Sequence, residues 1–205
     1  MDNGDARKLA DYLKSIGAPN YLAAACIVNG DSRIRLSGKT ELAPLVQLSS
    51  RFDPETKRTS KLRDDPAMGV ATYRANKAAV DYWASQMAKF HSAGLPSASL
   101  LSAIGYQLAK REEENAKLFF SYLADGAGMK DTDAVLILRN KLIESKVSPS
   151  RYLPKIHLVA IVVKAWSAWL RGETIRGGQG LRFTASGPRA EDFPSHIVAK
   201  EEVAV

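Results

Sequence analysis

The chain has 205 residues, of which 45% are hydrophobic and 25% charged, and its formal net charge is +7. That balance is ordinary for a soluble globular protein, and the length suits one domain with a real core. A lone cysteine excludes a disulfide framework and fits a reducing compartment, and the acidic start MDNGDARK has no apolar run of the kind a signal peptide needs.

In chain order, Asp5 is placed to N-cap a first helix with Leu9, Leu13 and Ile16 on one face and Gly17 as its stop. Pro19 opens a second helix, YLAAACIVNG, ending at Gly30, and the pair reads as a helical hairpin. Cys26 lies inside that apolar run and is expected as a small buried hydrophobe. Thr40 and Glu41 begin a short third helix through Leu48. Residues 51–66, RFDPETKRTSKLRDDP, are polar, charged and broken by two prolines, and read as an exposed loop.

From Thr72 to Ser92 the spacing of Val80, Trp83, Met87 and Phe90 predicts one helix closed by Gly94. Pro96 and Ser97 start another, with Leu100, Leu101, Ile104 and Leu108 inward. Glu112 to Asp125 is a further helix carrying Leu118, Phe119, Tyr122 and Leu123, with acids at its positive end and Gly126 and Gly128 after it. Thr132 or Asp133 caps the next, with Val135, Leu136, Leu138, Leu142 and Ile143 apolar. The longest apolar run follows, Ile156 to Arg171, between Pro154 and Gly172. It is apolar almost all round, so it is expected as the central helix of the bundle. It falls short of the about 20 apolar residues of a membrane span, and Lys164 interrupts it. Beyond it lie a glycine-rich stretch, a short β-like piece from Leu181 to Thr184, and a patternless tail. Seven or eight helices joined by short connections make an all-α multi-helix bundle. Residues 1–194 are expected as one helical domain and 195–205 as a tail.

Charge is not spread evenly. Residues 139–189 hold ten Lys and Arg against Glu144 and Glu173, a net +8, whereas the remainder holds 19 basic and 20 acidic side chains, a net −1. Basic clustering is the electrostatic footprint of a polyanion partner. Arg139, Lys141, Lys146, Arg151, Arg171, Arg176 and Arg182 are the expected phosphate contacts, with Lys164 set aside because burial would hold it. Tyr152, Phe183 and Phe193 are the candidates for base stacking, since Trp166 and Trp169 belong to the apolar helix and its core.

Catalytic chemistry is not expected. His91, His157 and His196 fall on separate elements, and none has a partner at metal-ligand spacing. Arg176-Gly-Gly-Gln-Gly lacks the Gly-Lys-Ser/Thr and the following helix of a phosphate loop, so it reads as a turn. Glu112, Glu113 and Glu114 are consecutive on a helix and point apart, as ordinary helix-start acids do. No cofactor and no metal is expected.

Several pieces in order carry a family likeness: GDARKLADYLKSIGAPN, IGYQLAKREEENAKLFFSYLADGAGM, DAVLILRNKLIES, HLVAIVVKAWSAWLRGETIR and EDFP. The order resembles the helical C-terminal region of ParB-like proteins of phages, plasmids and actinobacteria. Leu138-Arg139-Asn140-Lys141-Leu142, Lys164-Ala165-Trp166, Leu181-Arg182-Phe183 and Phe193-Pro194 match its motifs, while residues 31–70 match poorly. The Asp-Gly-Gln-His-Arg-like motif of the ParB-type domain is absent, so nucleotide-hydrolysing or nuclease activity does not carry over. The resemblance implies association with DNA, ahead of RNA, and the cytoplasm is the expected compartment because neither a signal peptide nor a membrane span is read in the sequence. The expected function is a non-enzymatic nucleic-acid-associated module of phage or mobile-element type. The alternative is a protein-interaction or assembly module, such as a phage structural or host-takeover factor, binding an acidic protein or a second copy of itself.

Overall fold

The computed structural model describes residues 3–31, 66–148, 150, 153–176 and 180–181. Among them every regular element is an α-helix: α1 (Asn3–Ser15), α2 (Tyr21–Asp31), α3 (Pro66–Ala75), α4 (Lys77–Ser92), α5 (Ala98–Ala109), α6 (Glu113–Asp125), α7 (Ala134–Val147) and α8 (Lys155–Leu170). The chain is an all-α bundle. The expected helix at 40–48, loop residues 51–65, strand residues 182–184 and tail at 195–205 lie outside the described residues.

Helix ends follow from local chemistry. At the end of α4, Gly94 takes φ +74°, a conformation that a Cβ would disfavour. Its amide donates to His91 O (3.0 Å) and the next amide, Leu95, to Phe90 O (3.0 Å), so two otherwise orphaned carbonyls are satisfied. Leu95 is buried just beyond. α1 closes the same way through Ala18 to Leu13 O (2.9 Å), and α8 through Glu173 to Ala168 O (2.9 Å).

Three boundaries differ from the sequence expectation. Asp5 sits inside α1, which starts at Asn3, so it cannot be the N-cap. Pro66 is not loop but the first residue of α3, a position where a proline loses no helical bond. The single helix expected from Thr72 to Ser92 is two helices, α3 and α4, broken at Asn76. The reason is local: the Asn76 amide nitrogen Nδ2 donates to Thr72 O (3.0 Å), so its side chain competes with the backbone ladder. The β-like piece also fails at its start, because Gly180 and Leu181 lie in a helical turn.

Packing centres on α2 and α5. α2 lies against α1, α3, α4 and α5, whereas α5 lies against α2, α4 and α6. The second half continues as α6 on α7 and α7 on α8. α8 is buried round its whole circumference from Leu158 to Val163 and again from Ala165 to Ala168, as its apolar run predicts. It does not stand alone in this. Every residue of α5 from Leu101 to Leu108 is also buried, including Ser102, Gly105 and Gln107. The small residues let neighbours approach: a Cβ at Gly105 would run into the ring of Trp83 from α4.

An aromatic seam joins the halves. Trp83 meets Phe120 of α6 edge-on at 5.3 Å between centroids, and Phe120 meets Phe119 at 5.3 Å. Phe119 then meets Trp166 and Trp169 of α8 at 5.3 and 5.6 Å. Each such pair adds roughly 0.5–1.5 kcal/mol beyond the area it buries.

Cys26 corrects another expectation. It is exposed rather than buried. α2 packs through Ala24, Ala25, Ile27 and Val28, and this turns Leu22 and Cys26, one helical turn apart, to the outside.

Candidate nucleic-acid interface

The basic segment begins on α7, and the structure gives its cations different jobs. Arg139 Nη1 donates to Leu123 O (2.9 Å) and Ala124 O (3.1 Å). Those carbonyls belong to the last turn of α6, where no intrahelical amide remains to bond them and the helix dipole is negative. Gly126, at φ +76°, leaves room for this arm, since a Cβ there would strike the Arg139 guanidinium. Arg139 is therefore a cap for a neighbouring helix, which differs from the outward phosphate contact expected of it.

Arg171, just past α8, is exposed but matched. Its Nε lies 2.5 Å from Glu173 Oε1 and its Nη2 lies 2.6 Å from Oε2, a two-bond fork. Donating to the Glu173 carboxylate holds the guanidinium pKa above its ordinary value. Much of its charge is thus cancelled within two residues. Lys141 and Lys164 are half-buried.

Lys146 and Arg176 face solvent. Lys146 Nζ lies 3.4 Å from Gly94 O, a long contact at the carbonyl end of α4. Arg176 follows Ile175, whose buried side chain pins the segment to the core. Arg151 and Arg182 lie outside the described residues, as do Tyr152, Phe183 and Phe193. Of the seven expected phosphate contacts, then, two are described as open surface cations, two are engaged by the protein itself, one is half-buried and two are outside the description.

The sequence reading missed a second surface feature. Trp166 is core as expected, but Trp169 is only partly buried. Its ring centroid lies 6.5 Å from that of Tyr122, which is 38% exposed, and Leu118, one turn earlier on α6, is 44% exposed. α6 is apolar on two faces: Phe119 and Leu123 turn inward while Leu118 and Tyr122 turn outward. That doubling was visible in the spacing, two i,i+4 pairs offset by one residue. Arg171 and Glu173 follow directly after Trp169 and Leu170, so the apolar ridge adjoins the basic segment.

The acids that open α6 are helix-start residues with local partners. Lys117 lies 2.7 Å from Glu113 and 3.0 Å from Glu114, and Glu112 accepts from Asn115 Nδ2 at 2.7 Å. The two carboxylates hold the Lys117 ammonium pKa well above its ordinary value. Burial lowers the pKa of His157, at the start of α8, because it penalises the charged imidazolium. Among the described residues no three His, Cys, Asp or Glu side chains gather as a metal site would need, and no helix is long and apolar enough to cross a membrane.

Comparison with protein-family profiles, with curated proteins and with solved structures finds no match to this chain.

Proposed function

We propose that the protein is a non-enzymatic module that associates with nucleic acid, DNA ahead of RNA, and grips the phosphate backbone through its 139–189 segment. The observation that carries this reading is the segregation of charge, +8 in that segment against −1 in the rest. Of the proposed phosphate contacts in this segment, Lys146 and Arg176 face solvent without the carboxylate fork that matches Arg171. The order of motifs that resembles the helical region of ParB-like proteins supports a phage or mobile-element setting.

Binding of this kind is sequence-tolerant and depends steeply on salt, since each neutralised phosphate releases counterions. Fluorescence anisotropy with a labelled duplex and a labelled single strand, at several salt concentrations, tests it. Reversing both charges, Lys146→Glu with Arg176→Glu, should weaken binding at least about tenfold at 50 mM salt and flatten the log–log salt slope by about two. Melting should be unchanged, because both side chains are exposed. Absence of binding by the parent protein at low salt would end the reading.

The ridge of Leu118, Tyr122 and Trp169 favours a second reading, a protein-interaction or assembly module. An apolar surface beside charged residues is what a protein partner would cover. A defined oligomer by light scattering, with no affinity for either nucleic acid, is the result that selects it.

A further inference from the structure

Between α3 and α4 the chain leaves the helical path at one residue. Asn76 adopts φ −124° and ψ 25°. Its backbone amide donates to Thr72 O (3.2 Å) and Tyr73 O (3.1 Å), and its carbonyl accepts from the Val80 amide (2.9 Å). The residue ends one helix and begins the next. No proline or glycine stands at the junction, and the flanking Val70-Ala-Thr-Tyr-Arg-Ala75 and Lys77-Ala-Ala-Val80 suit a helix. The break has a side-chain cause, the Asn76 bond to Thr72 O, and not a covalent one.

Contacts to Tyr73 span the break, and an i,i+4 ion pair within α4 shares their acceptor. Tyr73 Oη donates to Asp81 Oδ1 at 2.9 Å. Lys77 Nζ donates to Asp81 Oδ2 at 2.5 Å and lies 5.9 Å from the Tyr73 ring centroid. Burial first, and then the Asp81 carboxylate, push the Tyr73 phenol above its ordinary pKa, so it stays protonated as the donor. Tyr73 and Asp81 are eight residues apart. On a straight helix their Cα atoms would be about 12 Å apart along the axis. Side chains also lean toward the helix N-terminus, which would aim the Tyr73 hydroxyl away from Asp81. The Tyr73–Asp81 bond therefore belongs to the bent form.

α3 packs on α1, α2 and α4, with Val70 half-buried against the core. Tyr73 is its one buried residue. At Gly69 the approach to α1 is close, since a Cβ there would strike the methyls of Leu9.

We propose that Tyr73, Lys77 and Asp81 form a latch and that α3 is a strap. When the latch opens, residues 66–92 straighten into one helix and α3 lifts from the Leu9 face of α1. This device stands apart from the nucleic-acid reading and does not depend on it.

Hydrogen exchange of the full chain, resolved by peptide, tests the latch. Tyr73→Phe and Asp81→Asn each keep the side-chain shape and remove or weaken the spanning bond. Both should raise exchange over 66–75 at least tenfold while amides 101–108 of α5 stay unchanged. Asn76→Ala removes the bond to Thr72 O. It should slow exchange at Lys77, Ala78 and Ala79, whose amides stand ahead of the α4 ladder in the bent form and gain acceptors in the straight one. Unchanged exchange over 66–75 in both latch variants would overturn the proposal. So would an equal rise in α5, which would mean general loosening, or no slowing at 77–79 in Asn76→Ala.

Discussion

Phe119→Ala should lower stability by about 3–5 kcal/mol, the range for emptying a buried aromatic site. Phe119 has no exposed surface and is where α6 reaches α8, through Trp166 and Trp169, and where it touches Phe120 in turn. The three rings packed on it, Phe120, Trp166 and Trp169, leave little scope for the site to collapse, so the upper half of the range is expected. For a chain of this size that corresponds to a fall in melting temperature of about 10–15 °C. Thermal denaturation followed by circular dichroism measures it. Leu118→Ala, one residue away but on the outer face, should cost well under about 1 kcal/mol. Equal losses at the two positions would mean that α6 is rotated from the register described here.

Gly105→Ala is the second large effect, and it comes from adding atoms rather than removing them. The new methyl would overlap the Trp83 ring. That ring is 1% exposed and held edge-on by Tyr82 and Phe120 at 5.3 Å each, so it cannot swing clear. Alanine is otherwise the better helix former by about 1 kcal/mol. The clash should outweigh that gain and leave a net loss of about 3 kcal/mol, the upper end for overpacking a core. Urea titration should show a lower midpoint. Trp83→Leu, which opens the space, should make Gly105→Ala less harmful in the double variant than alone, because the two residues share one contact. A neutral Gly105→Ala would mean that α4 and α5 do not approach so closely.

Much of the fold was legible because helix stops are chemical. Gly17, Gly94, Gly126 and Gly172 all take the left-handed backbone that ends a helix, and the sequence reading placed a stop at each. α8 was legible because its apolar run is too long for a buried strand and is bounded by Pro154 and Gly172. α5 was harder. Ser102, Gly105 and Gln107 are buried beside the leucines that the spacing turns inward, and at Gly105 it is the absence of a Cβ that the Trp83 ring of α4 requires. The Asn76 break hid for a different reason: periodicity reports which face is apolar, not when a side chain will bond its own backbone. The role of Arg139 depends on where the end of α6 arrives, a tertiary fact that no local pattern contains. Of the candidate interface, composition and position conveyed the charge, but not which cations the protein uses for itself.

The two helical stretches without a solvent side carry a consequence for sequence drift. On α6 or α7, positions free to vary recur every three or four residues, because one flank of each helix meets water. Along 101–108 and 158–163 no such flank exists. Substitution tolerance there has no ripple. These stretches form two continuous bands in which size and polarity are both constrained at every step, so lineages of this chain can diverge widely around them while the bands themselves change only by swaps that conserve volume.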